Sequence, residues 1–290
     1  MNTPNLIIPG FPKSGTSTLF DYLTQYDQVF KPKRKEPHTY TFEDRWNYRD
    51  KISGLFVNLY GEENSWRYYP DASTTYMISN DAIPRISQEG KDCRFIVIAR
   101  DPIDRIVSHY NWLQSLGIAT KPFRQEIYEN RGVFDEKTKY AGNFKNYLEF
   151  SKYGKQFQKL FEHIEKERIL ILYYEDLSKD PTNVMREIEN FLQLPNCDHN
   201  HIHSNRTKYP KYFVPFKYQR LLSFIRLRIN INLARILEVV VRKKYKKYKL
   251  NKSDKLWLYN QLKTDIAIQK NLGLIHPKWT TLSSCIEHEN

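Results

Sequence analysis

The sequence predicts an α/β fold of three layers, a central parallel sheet flanked by helices. Two observations carry that expectation. Apolar, largely β-branched runs occur at 5–9, 93–99 and 168–174, each short enough for a buried strand. Each run leads into a segment of helical periodicity, and strands alternating with helices at such intervals build parallel βαβ units. A chain of 290 residues can bury a full core, and 40% hydrophobic with 14% aromatic content describes a folded protein. One domain over 1–290 is expected, with no internal repeat.

In the first unit, Asn5-Leu-Ile-Ile-Pro9 feeds the loop Gly10-Phe-Pro-Lys-Ser-Gly15, and a helix opens near Gly15 and runs to about Leu23. Helix-start N–H groups and the positive end of the dipole make this an anion site. Lys13 adds a full charge, and Ser14, Thr16, Ser17 and Thr18 add hydroxyls. The loop departs from a Walker A motif, because its lysine precedes the last glycine instead of following it. Without further context an ordinary strand-to-helix turn explains it as well.

Lys31 to His38 is basic and broken by Pro32 and Pro37, hence extended. Residues 40–64 read as loops and short helices, and Trp66 to Tyr76 as a short strand ending in a hydroxyl-rich turn. The second βα unit runs Cys93-Arg-Phe-Ile-Val-Ile-Ala99, then Arg100-Asp-Pro-Ile-Asp-Arg-Ile-Val-Ser108, with Pro102 suited to a first helical turn. Residues 117–142 lack a core pattern and read as an insertion or cap. A helical face over 150–165 precedes the third strand, and Asp180-Pro181 marks the start of a helix reaching Leu192. A last helix is expected over 253–271.

Arg100 and Ser108 stand at the end of a parallel strand, where ligands of open α/β sheets bind. Arg100 equally fits a structural ion pair with Asp101 or Asp104. Context favours the ligand. Pro12-Lys-Ser-Gly-Thr16 followed by Phe95-Ile-Val-Ile-Ala-Arg100-Asp-Pro-Ile-Asp-Arg-Ile-Val-Ser108-His-Tyr resembles the two cofactor blocks of sulfotransferases that use 3′-phosphoadenosine 5′-phosphosulfate (PAPS). The resemblance implies a P-loop-like sulfotransferase fold, PAPS as co-substrate with PAP as product, and no metal. It gives Lys13, Ser14, Gly15, Thr16, Ser17 and Thr18 to the 5′-phosphosulfate, and Arg100 and Ser108 to the 3′-phosphate. A third block, Ile169 to Pro181, implies that Tyr174 lies near adenine. Arg206 and Lys208 fall where the family often places a late phosphate-contacting loop.

Lys35-Glu36-Pro37-His38 alone would read as a solvated charged loop. It is similar to the Lys-Glu-x-His stretch of heparan-type glycan sulfotransferases, which implies Glu36 as general base, with Lys35 and His38 toward substrate and His38 also a tuner of Glu36. A sugar hydroxyl must lose a proton as it attacks sulfur, and a carboxylate within reach can take it. Small-molecule sulfotransferases instead use a His shortly before the second block, and none lies between Lys51 and Arg100. Heparan-type enzymes also carry a Glu-Lys-Thr/Ser-Pro-like stretch. Here Asp71-Ala-Ser-Thr-Thr75 stands in its place without the lysine, which points to a carbohydrate acceptor other than heparan. Asp71 and Ser73 are candidate substrate contacts, although a polar turn explains them too. A P-loop kinase of a small metabolite and a non-catalytic nucleotide- or polyanion-binding protein are the alternatives.

The net charge of +13 is unevenly placed: 206–252 holds 15 Lys/Arg against the single acid Glu238, leaving about −1 for the rest. Residues 218–241 read as one amphipathic basic helix. A solvated or acceptor-facing patch, peripheral contact with an anionic membrane and nucleic acid are the readings of this segment, in that order, and no nucleic acid partner is expected. Three scattered cysteines and the lack of a signal-like or membrane-spanning run point to a reducing compartment, the cytoplasm, with the inner membrane face open to such contact.

Overall fold

The computed structural model describes residues 3–48, 66–89, 92–132, 134–137, 145–196 and 209–287. Cys197, Arg206 and Lys208 lie outside the described residues. A four-stranded, wholly parallel sheet forms the centre, built from β1 (Leu6–Ile7), β2 (Pro70–Asp71), β3 (Arg94–Ala99) and β4 (Ile169–Tyr173) in the order β2-β1-β3-β4. The three-layer, P-loop-like α/β architecture is therefore the one the sequence predicts.

Alternation along β3 shows why the sheet must be covered twice. Phe95, Val97 and Ala99 join one buried cluster, and Ile96 and Ile98 join the other, because successive strand side chains point to opposite faces. On the second face α1 (Thr16–Leu23) contributes Leu19, Phe20 and Leu23. Helix α2 (Glu43–Tyr48) and helix α3 (Ala82–Glu89) follow in the chain, and Ile83 and Ile86 of α3 turn to the first face. That face is completed by α4 (Pro102–Ser115), with Ile103, Ile106 and Tyr110 at helical spacing. Asp101 caps α4, its carboxylate accepting from the N–H groups of Ile103 at 3.0 Å and Asp104 at 3.3 Å, while Pro102 fills the first turn where no N–H is needed.

The described part of the 117–142 segment is more structured than the sequence implies. It holds α5 (Phe123–Glu129), and Phe123 and Ile127 are buried. The Phe123 ring stacks on Tyr248, centroids 4.1 Å apart. The partners come from 125 residues downstream, so no local period could announce them.

Helix α6 (Tyr153–His163) precedes β4, and α7 (Tyr174–Lys179) begins at once where β4 ends. Next, α8 (Pro181–Leu192) starts at the expected Asp180 cap, whose carboxylate accepts from Asn183 N–H at 3.1 Å. The expected single basic helix over 218–241 is instead two. A short antiparallel ribbon of β5 (Tyr212–Phe213) and β6 (Lys243–Lys244) carries between its strands α9 (Phe216–Arg228) and α10 (Ile231–Val241). The break has a local cause. The Asn230 side chain accepts from the N–H groups of Asn232 and Leu233, at 2.7 and 3.1 Å, and so starts a new helix rather than continuing the old one. Helix α11 (Lys252–Asn271), capped by Asn251, and α12 (Thr280–Glu287) close the first face.

Candidate active site

All four parallel strands deliver a functional segment at their carboxyl ends. Strand β1 runs into the Gly10–Gly15 loop, and β2 into the hydroxyl turn that ends at Thr75. Strand β3 runs into Arg100 and β4 into Tyr174. Such an end is where open α/β sheets bind ligands.

The loop reaches its shape through two left-handed residues, Lys13 at φ 71° and Gly15 at φ 96°. Glycine is required at 15 for a second reason, since a Cβ there would lie 3.1 Å from Tyr174 Cδ2 and 3.4 Å from Leu177 Cδ2. Helix α1 follows directly, so its first N–H groups have no intrahelical partner and face the loop's concavity. Two arginines brace the loop from the β3–α4 unit. Arg100 donates to the Lys13 carbonyl at 3.1 Å, and Arg105 to the Pro12 carbonyl at 3.3 Å. Arg105 is fully buried, also donating to Ser151 Oγ at 2.6 Å and to the Tyr147 carbonyl. Burial pushes its pKa down to about 10, so it stays charged at neutral pH.

The expected cofactor residues are differently placed. The Lys13 ammonium lies 5.2 Å from the Trp112 ring centroid, a cation–π arrangement. Its pKa is lowered to about 8, first by burial and then by the charge of Arg100. Thr18 is half-buried and Ser17 exposed, whereas Thr16 is buried and Ser14 fully so, its hydroxyl beside the Tyr153 phenol. Arg100 lies over the Tyr174 ring, 4.5 Å from its centroid, so these two residues come together. Ser108 joins them through Tyr209: burial raises that phenol's pKa, and the Arg100 charge and a hydrogen bond to Ser108 oppose the rise.

A second cluster surrounds Glu36. Its Oε1 takes the Lys35 ammonium at 2.6 Å, and its Oε2 accepts from the Thr74 hydroxyl at 2.9 Å with His38 Nε2 at 3.5 Å. The carboxylate side chain keeps 29% of its surface exposed, so a substrate hydroxyl can reach it. His38 is different. Its ring is buried, with Nδ1 2.8 Å from Thr75 Oγ1, and its pKa is lowered to about 3 by burial and then by Arg45, Arg34 and Lys35. A neutral imidazole with Nδ1 accepting from Thr75 leaves Nε2–H directed at Glu36.

Asp71 and Ser73, expected as substrate contacts, are not presented to the cleft. Both are fully buried. Asp71 Oδ1 accepts from Ser73 N–H at 3.0 Å and Ser73 Oγ at 2.6 Å, and Oδ2 from the Tyr76 hydroxyl at 2.6 Å. Burial raises the Asp71 pKa to about 6. Ser73 Oγ in turn accepts from His38 N–H at 2.8 Å. These two residues build the turn that sets His38 and Thr74 against Glu36, because a carboxylate inside the fold is stable only when its oxygens are filled.

Sequence reasoning missed Thr74, Arg105, Trp112 and Tyr209. Trp112 alone had a visible signal, since it lies four residues beyond Ser108 and shares its helix face. Among the described residues no group of three or more His, Cys, Asp or Glu side chains could hold a metal ion.

The chain belongs to the sulfotransferase family: a sulfotransferase domain model matches residues 3–256. It is 27% identical over 208 residues to heparan sulfate glucosamine 3-O-sulfotransferase 3B1 of Homo sapiens, covering 71% of this chain and 50% of that one. Carbohydrate sulfotransferase 15 of Mus musculus is 23% identical over 248 residues, 66% of this chain and 44% of that protein. The chain thus spans about half the length of the curated relatives it matches. A sulfotransferase structure from Alicyclobacillus acidocaldarius shares the fold, with TM-score 0.57 and 22% identity over 83% of this chain and 96% of that one.

Proposed function

We propose that the protein transfers a sulfuryl group from PAPS to a hydroxyl of a carbohydrate, giving PAP and a sulfate ester. The observation that supports this most is the shared position of the anion loop, Arg100 and the Glu36 cluster at the carboxyl edge of one parallel sheet. The donor set fits a nucleotide carrying phosphates at both ends. Two cations, Lys13 and Arg100, lie close enough for one to depress the other's pKa, a tension that a bound polyanion relieves. Gly15 lets the loop lie against Tyr174, the ring proposed for the base, where a Cβ would crowd it at 3.1 Å.

When bound, PAPS supplies the sulfuryl group. Lys13 and the first N–H groups of α1 would hold its 5′ end, Arg100 and Ser108 its 3′-phosphate, and Tyr174 would offer a ring to the base. Lys13 also sets a cation where leaving-group charge develops. Glu36 takes the acceptor's proton on a carboxylate oxygen. Lys35, Thr74 and neutral His38 fix that carboxylate's orientation. The carbohydrate acceptor is favoured by the names of the relatives and by the mounted Glu36. Family membership weighs against a metabolite kinase, and the Glu36 mount against a protein that only binds nucleotide.

The test is incubation with radiolabelled PAPS and a panel of glycans, read by mass spectrometry. A sulfate ester on a glycan, lost in Lys13→Ala and Glu36→Gln, is the expected result. Normal turnover in both variants, or greater thermal stabilisation by ATP than by PAP, overturns the reading.

A further inference from the structure

We propose that the α9–α10 hairpin docks the protein on an anionic lipid bilayer. Ten of the thirteen large apolar side chains that the described residues leave exposed lie between Phe216 and Val240. Leu227 is 81% exposed, Val240 74%, Ile236 64% and Ile229 62%. A soluble surface scatters such residues singly, and a concentrated set marks a surface meant to be covered.

Only Leu222, Ile225 and Ala234 are buried in this stretch. Arg226 ties the two helices to each other through Glu238 at 2.8 Å. The hairpin is thus closed on itself and spends few of its apolar residues doing so. The remainder face outward beside Lys217, Arg220, Arg228, Arg235, Arg242, Lys243 and other exposed cations, with Glu238 the one acid between Lys211 and Lys244.

That pairing of groups selects the occupant. Aliphatic side chains flanked by Lys and Arg match an anionic interface, where acyl chains take the former and phosphate headgroups the latter. A second copy of this chain would bring like charges together. Nucleic acid would use the cations and leave Leu, Ile and Val without a partner, since bases stack on aromatic rings. At 13 and 11 residues the helices fall short of the roughly 20 that crossing requires, so they lie in the interface rather than span it.

The hairpin is also fixed to the candidate active site. Phe216 N–H donates to the Gly117 carbonyl at 2.8 Å, and Gln219 Nε2 to the Leu116 carbonyl at 2.8 Å. Gly117 sits at φ 73°, and a Cβ there would come within 2.1 Å of the Val214 carbonyl oxygen. Both 116 and 117 follow directly on α4, the helix that carries Ser108 and Trp112. Docking through the hairpin therefore holds the α4 side of the cleft in a set relation to the bilayer.

The test is co-sedimentation of the whole chain with vesicles of phosphatidylcholine alone and of phosphatidylcholine mixed with phosphatidylglycerol. Pelleting is expected with the mixed vesicles and is expected to weaken as salt rises. The double variant Leu227→Glu, Ile229→Glu should partition about tenfold less or lower, with an unchanged melting temperature because both sites are exposed. Lys217→Ala with Arg228→Ala and Arg235→Ala should abolish the preference for anionic vesicles. Equal recovery with both vesicle types, or wild-type pelleting of the double variant, overturns the proposal. So does a dimer that the double variant dissolves in the absence of lipid, which would give the surface to a second copy.

Discussion

The cleft and the hairpin are both cationic, yet they use charge in opposite ways. In the cleft Lys13 is largely withdrawn from water, and Arg100 and Arg105 donate to loop carbonyls. In the hairpin the cations are exposed beside exposed aliphatic residues, and the Arg226–Glu238 pair joins the hairpin only to itself. Burial, not the number of charges, separates the site proposed for one small anion from the surface proposed for a fluid one. A preorganised cation is worth most where water is excluded, and a surface field acts over about a Debye length and is screened by salt.

The comparison can be broken or sharpened by experiment. The largest effects belong to the chemistry. Glu36→Gln and Lys13→Ala should each lower kcat by roughly 10²-fold or more while the fold persists, as radiolabel transfer and circular dichroism would check. Next comes the brace. Arg105→Ala takes the guanidinium donor from the Pro12 and Tyr147 carbonyls and from Ser151 Oγ, which keeps only its bond to the Pro102 carbonyl, and should cost about 3 kcal/mol or more in chemical denaturation. Gly15→Ala places a side chain at φ 96° against Tyr174 and should cost about 1–2 kcal/mol, with a matching loss of PAP affinity by calorimetry.

Two pH effects follow from burial. A bound polyanion raises the Lys13 pKa above its free value of about 8, so PAP binding takes up a proton. Affinity should be highest below pH 8 and fall by up to about tenfold per unit above it. Lys13→Arg should flatten that profile, because guanidinium stays charged. For His38 the folded pKa of about 3 lies below the unfolded 6.5, and the unfolded chain binds the extra proton between them. Its contribution to stability is therefore complete above pH 6.5 and drains away as pH falls toward 3. His38→Gln should reduce that slope in urea titrations at successive pH. The smallest effect belongs to the hairpin tip, where Leu227→Glu should shift stability by no more than about 0.5 kcal/mol.

Much of this was legible in the chain. The Pro12–Thr16 loop, the strand feeding Arg100 and the Asp180-Pro181 helix start obey local rules, so their elements sit where the sequence puts them. The misses have long-range causes. Phe123 looked unpatterned because its partner is Tyr248. Asp71 looked like a substrate contact because a polar turn in sequence carries no mark of being buried. The 218–241 stretch looked like one helix because its apolar spacing continues through a break that Asn230 imposes.

By itself the sequence determined the layer order of the fold, the anion loop at the end of β1 and its resemblance to PAPS-dependent sulfotransferases. Period, caps and turn residues are near-neighbour properties, and they are written locally. Only the tertiary structure decided which polar groups are inside. It set Arg105 under the loop, Lys13 against Trp112, and His38 neutral behind Glu36, and it left the aliphatic residues of the hairpin in water. The reason is that desolvation depends on every segment packed around a group, and those segments come from distant parts of the chain.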